Sequence, residues 1–254
     1  MERGSVSFPA AVMLGLMVGA GAALGGYFVG QGFYQGRRAE RFVSVKGLAE
    51  RYVKADLAVW TLSFSATGAD ISAVSTASDH DRDLVRAFIA KSGFTDHEIE
   101  PLPTRVNDQF ANLMGTPNIE AARRYVITAG YEIRTTKVDA VNAASQMTDE
   151  LIRQGVVLDG LPLAGDAANP AYLFTRVSDI RPAMLAQASK SARVLAQQFA
   201  ADSDSRLGSI RRATEGVFEV MSPDGEVPNP SEEHSSIEKK LRLVSTIDYY
   251  LTSQ

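Results

Sequence analysis

The chain has 254 residues, no cysteine and a net charge of −4. Without cysteine there are no disulfides, no thiol nucleophiles and no cysteine metal sites. The mild acidity, with no basic stripe interleaved with aromatics, argues against a nucleic-acid partner, and the size suits one large domain or two small ones.

A short tail, residues 1–7, precedes an apolar run at residues 8–34. No Asp, Glu, Lys or Arg falls between Arg3 and Arg37. A bilayer core about 30 Å thick needs roughly 20 apolar helical residues, so the run predicts a single transmembrane helix with some tilt. Ala11, Gly15, Gly19, Ala22, Gly26 and Gly30 recur three or four residues apart, on one face. Small faces let helix backbones approach closely in lipid, so these six predict packing against other copies of the helix. Arg3 and Ala20-Gly21-Ala22 have the look of a cleavable signal. The run continues through Phe28, Val29, Phe33 and Tyr34, however, and the expectation is an uncleaved signal-anchor. A polar neck, 35–41, follows. Its Arg37, Arg38 and Arg41 would by themselves hold the rest of the chain on the cytoplasmic side.

Beyond the neck, 42–49 and 57–66 predict strands joined by a hairpin turn at 50–56. Ala58, Trp60, Leu62, Phe64 and Ala66 alternate onto one face. Asp70 suits a helix cap, and Ile71, Val74, Ser78, Val85, Phe88 and Ile89 repeat at helical spacing until Gly93. Residues 98–106 read as an extended edge with Pro101 and Pro103, and 107–122 as a loop. A strand over 124–134 places Tyr125, Ile127, Ala129, Tyr131 and Ile133 on one face. Thr136 then caps one helix carrying Val138, Val141, Ala144, Thr148, Leu151 and Ile152, which stops at Gly155. A short strand, 171–176, leads to a long helix capped by Ser178, with Pro182 in its first turn. One side of that helix carries Leu185, Ala188, Ala192, Leu195, Ala196 and Phe199. Residues 207–218 are extended. Residues 221–236 form a Pro-, Gly-, Ser- and Glu-rich mobile loop. The strand 239–251 closes the chain, with Leu241, Leu243, Ile247, Tyr249 and Leu251 on one face.

Catalytic patterns are absent from the sequence. Asp79, His80, Asp81 and Asp83 are close together, but helical spacing lets only 79 and 83 share a face, so a solvated acidic surface is expected. His97 and His234 fall in predicted loops without partners. There is no Gly-x-Ser-x-Gly elbow and no phosphate-cradling glycine loop after a strand. The expectation is a non-enzymatic protein with no catalytic residues, no metal and no cofactor.

Three stretches carry a family resemblance. The first is Val43-Ser44-Val45-Lys46-Gly47-Leu48-Ala49-Glu50 with the strand around Trp60. The second runs from Tyr172 through Ser178 and an alanine-rich helix (Ala186, Ala188, Lys190, Ala192, Arg193, Ala196, Phe199) to Leu207-Gly208. The third is Ile247-Asp248-Tyr249-Tyr250-Leu251. In this order they resemble the SIMPL-domain family, which includes bacterial oxidative-stress-defence proteins and surface antigens. Lys54-Ala55-Asp56 departs from it, since the family usually carries a proline before the aspartate. The resemblance implies an α+β fold over 42–254, with helices packed on antiparallel sheets. It implies a single-pass inner-membrane protein of the bacterial envelope with its domain in the periplasm, opposite to what Arg37, Arg38 and Arg41 suggest. It also implies homo-oligomeric rings or cages and a link to stress defence. The partners expected are therefore the chain itself and the lipid bilayer. The alternative is an anchored module that captures an envelope protein or small ligand through 221–236 or 98–106.

Overall fold

The computed structural model describes residues 8–38, 41–111, 121–159, 169–225 and 229–253. The expected tail 1–7 and much of the expected 107–122 loop lie outside them. Helix α1 spans Phe8–Arg38. Strands β1 (Phe42–Lys54) and β2 (Leu57–Gly68) follow, then α2 (Ile71–Lys91), β3 (Ile99–Pro101), β4 (Arg105–Asp108) and β5 (Tyr125–Thr135). Next come α3 (Val138–Ser145), α4 (Asp149–Arg153), β6 (Ala171–Leu173) and α5 (Val177–Asp202). The chain ends with β7 (Ser205–Met221), α6 (Pro230–Ser235) and β8 (Glu238–Ser253). The class is α+β with antiparallel sheets. The chain divides into two compact units: Met1–Ala49, Leu185–Gly216 and Val244–Gln254 form one, and Glu50–Met184 with Val217–Leu243 the other.

The larger unit is built on a five-stranded sheet of order β3-β5-β2-β6, with β4 also on β5. The alternation expected along 57–66 is the buried face: Ala58, Trp60, Leu62, Phe64 and Ala66 all point inward. Register brings Trp60 opposite Ile133, Leu62 opposite Tyr131 and Phe64 opposite Ala129. Each such fully buried large side chain is worth about 1.5–3 kcal/mol. Val85, Phe88 and Ile89 of α2, Val138, Val141 and Ala144 of α3, and Leu151 of α4 complete this core. Asp70 caps α2 as expected, its Oδ2 accepting from Ala73 N–H at 2.9 Å. Gly93 ends the helix region at φ 88°, where a side chain would be strained.

Four expectations about this unit need correction. Residues 50–56 are not a hairpin turn: β1 runs on to Lys54, because Tyr52 and Val53 suit extended backbone. Ala55 N–H then bonds Ile237 O at 2.8 Å and Asp56 N–H bonds Leu173 O at 3.0 Å, which carries the chain into another sheet. The single helix expected over 138–152 is two. Thr148 Oγ1 donates to Ser145 O at 3.1 Å and Ser145 Oγ to Asn142 O at 2.9 Å. Such hydroxyls offer the backbone an alternative to helical bonding. The residue at the N-cap of α3 is Lys137, not Thr136. The expected loop 221–236 contains the end of β7 and α6, whose cap Asn229 Oδ1 accepts from Ser231 N–H at 3.2 Å; its residues 226–228 lie outside those described.

In the smaller unit the sheet order is β1-β8-β7, and α5 packs on it. Val45, Ile247 and Tyr249 bury against Ala192 and Ala196. The contact is close: a Cβ on Gly47 would stand 1.9 Å from Ala188 O. This explains a further correction. The inward row of α5 is Ala188, Ala192, Ala196 and Ala200, whereas Leu195 and Phe199 of the expected face are 44% and 54% exposed. Only methyl-sized side chains fit where backbones approach this closely. Pro182 is the sixth helical residue, one turn later than expected.

Helix α1 has 31 residues, about 46 Å. It absorbs the expected neck through Arg38, since Gln35, Arg37 and Arg38 favour helix and nothing there stops it. Among the described residues no helix is long and apolar enough to cross a membrane, so the crossing expected of 8–34 gains no support from them.

Candidate functional site

The larger unit carries a cleft of about 760 Å³. The end of β1 and the link to β2 supply Lys54, Ala55 and Asp56. The start of α3 supplies Thr136, Lys137, Val138, Asp139 and Ala140, and the segment after β6 supplies Thr175 and Arg176.

Asp56 organises one wall. Its carboxylate accepts from Thr175 N–H at 2.8 Å, Thr175 Oγ1 at 3.0 Å, Arg176 N–H at 3.2 Å and Arg176 Nε at 3.0 Å. Burial alone would raise this carboxyl, but the bonds from Thr175 and Arg176 outweigh it and hold it below its ordinary value. On the opposite wall Lys54 Nζ meets Asp139 Oδ2 at 2.6 Å. Lys137 Nζ reaches Glu98 Oε2 and Gly93 O, each at 3.0 Å. Glu98 also accepts from Thr95 N–H at 2.9 Å and from the Thr135 hydroxyl. Burial opposes its ionisation, yet these donors overcome it and bring its pKa down to about 2.

Each cation of the cleft therefore already faces a carboxylate. The arrangement is a polar, charge-balanced recess that can hold a polar ligand at its rim.

The residues singled out from sequence are scattered. Asp79, His80 and Asp83 lie on the exposed side of α2 and Asp81 is half-buried, its carboxyl raised by burial and partly offset by the His80 charge. Among the described residues no group of three or more His, Asp or Glu side chains is arranged to hold a metal. His97 is in a short 3-10 turn, and His234 is in α6 rather than a loop. Gly15, Gly19, Ala22, Gly26 and Gly30 share α1, and a Cβ built on any of these glycines meets nothing within 4 Å. The side chain of Ala11 lies outside those described.

Two residues carry more than sequence reasoning assigned them. Asp56 is one; its signal was its place in Lys54-Ala55-Asp56, directly before the 57–66 strand, where the family resemblance also has an aspartate. Lys239 is the other. It is fully buried on β8, and its Nζ donates to the Glu233 carbonyl of α6. Burial pushes its pKa down to about 8, partly offset by the Glu233 charge. Its signal was its position in the same alternation as Leu241, Leu243 and Ile247.

Charge is unevenly divided. The smaller unit carries ten Lys and Arg against six Asp and Glu, a net +4, and the larger carries sixteen against twenty-four, a net −8. No curated protein matches the chain. The family described as SIMPL, protein of unknown function (DUF541), matches residues 43–242, and the chain belongs to that family.

Proposed function

We propose that the chain is a membrane-anchored, non-enzymatic SIMPL protein of the cell envelope that assembles into a closed homo-oligomer. One observation carries this reading: α1 exposes Met13, Leu16, Met17, Val18, Leu24, Tyr27, Phe28 and Val29, and the uncharged glycine and alanine positions take the rest of the circumference. A helix apolar on every side needs an apolar surrounding, either a protein core or lipid. The charge-free run of 8–34 favours lipid. The open small-residue face at Gly15, Gly19, Ala22, Gly26 and Gly30 favours helix-to-helix packing between copies, and repeated use of one surface closes into a symmetric ring or cage. Stress defence is the physiological setting the family resemblance favours.

Alkaline extraction of membranes holding the full chain tests the anchor. The protein should stay with the bilayer, and its release would end the anchoring reading. Light scattering after size exclusion in mild detergent tests assembly. One species at a multiple of 27.4 kDa is expected, and a monodisperse monomer rules assembly out.

The cleft favours a second reading, an anchored module that captures a ligand or envelope protein. Arg176→Glu separates the two. It should leave the assembled mass unchanged if the protein is a scaffold, and it should abolish partner capture if the cleft is a binding site.

A further inference from the structure

The strands of the smaller unit meet at one end, and that end is rich in arginine. Leu251 N–H bonds Arg41 O at 2.8 Å, and Thr252 Oγ1 donates to Arg206 O at 3.4 Å, so the start of β1, the end of β8 and the start of β7 lie side by side. The Arg211 guanidinium stacks over the Phe42 ring at 4.2 Å, which brings β7's next cation to the same place. Arg212 follows it. Arg38 ends α1, and only residues 39 and 40 separate it from Arg41. Three residue steps span at most about 11 Å, so this end stays close to the end of α1.

From this geometry we infer that Arg41, together with Arg206, Arg211 and Arg212, forms a collar that binds the phosphates of anionic phospholipids. The inference rests on the anchoring of α1 proposed above. All four cations are arginine, whose planar fork matches a phosphate oxygen pair better than the point charge of lysine. With α1 in a bilayer, Arg41 follows the end of α1 by at most about 11 Å, roughly one Debye length, close enough for attraction at physiological salt. Phe42 and Tyr250 are exposed at this end too, as aromatic side chains are at membrane–water interfaces. The carboxylates of the same unit are Glu2, Glu40, Asp202, Asp204, Glu215 and Asp248, and it still carries a net +4. The occupant favoured by this charge is an anionic lipid surface.

The test places the full chain in nanodiscs of phosphatidylcholine alone, or of phosphatidylcholine mixed with phosphatidylglycerol. Amide hydrogen exchange is read at 41–45 and 205–212. The anionic discs should slow exchange there about tenfold, and added salt should remove the difference. R206Q/R211Q/R212Q should abolish it, while R206K/R211K/R212K should keep part of it. The α5 amides report whether each variant keeps its fold; if the glutamine variant does not, the lysine variant carries the comparison. Equal exchange in both discs overturns the collar while leaving the anchor standing. Equal slowing of the detergent-solubilised chain by inorganic phosphate assigns the site to free phosphate and also overturns it. Failure to enter either disc overturns the anchor, and the collar with it.

Discussion

Glu98 and Lys239 are both displaced downward from their ordinary pKa values, and each gives the fold a window, one acid and one alkaline, in which stability rises with pH. Glu98 is held at about 2 against 4.5. The folded form therefore binds fewer protons, and its contribution is present above pH 4.5 and lost as pH falls through 2. Glu98→Gln should flatten the acid limb of thermal stability recorded across that range. Lys239 is held at about 8 against 10.5. Between those values the unfolded chain binds more protons, so stability should rise with pH; Lys239→Met should remove that rise. Asp56 acts through hydrogen bonds. Asp56→Ala leaves two backbone N–H groups and a guanidinium without their acceptor and should cost about 2–3 kcal/mol in denaturant unfolding.

Helix α5 shows at the level of elements where periodicity misleads. Its apolar residues were visible in the sequence, and so was its length, yet hydrophobicity placed Leu195 and Phe199 inward. The deciding constraint is the space at Gly47, which belongs to a strand more than a hundred residues earlier and has no local signature. Ala192→Leu should accordingly destabilise by about 1–3 kcal/mol, while Phe199→Ser should change stability by no more than about 0.5 kcal/mol. Similar effects of the two substitutions would contradict the close packing. The strands of the larger unit were more legible, because a buried sheet face imposes strict alternation, as at Trp60 and Phe64. The break between α3 and α4 was not, since it depends on where hydroxyls at Ser145 and Thr148 bond. The cleft was illegible for the same reason at larger range: Lys54, Lys137 and Arg176 converge only through tertiary placement.

Over the whole molecule, order along the chain and order in space diverge. The smaller unit is made from the first, a middle and the last segment of the polypeptide: Met1–Ala49, Leu185–Gly216 and Val244–Gln254. Truncation after Leu243 should therefore strip protection from α5 amides in hydrogen exchange, because Ile247 and Tyr249 leave its core, while β2 and β5 keep theirs. During translation β1 emerges early and waits for β8. At synthesis rates of about 5–20 residues per second, that wait is roughly 10–40 s. The first strand of the smaller unit is thus made well before that unit can close, and the nascent chain must keep its unpaired edge out of trouble until β8 has been made.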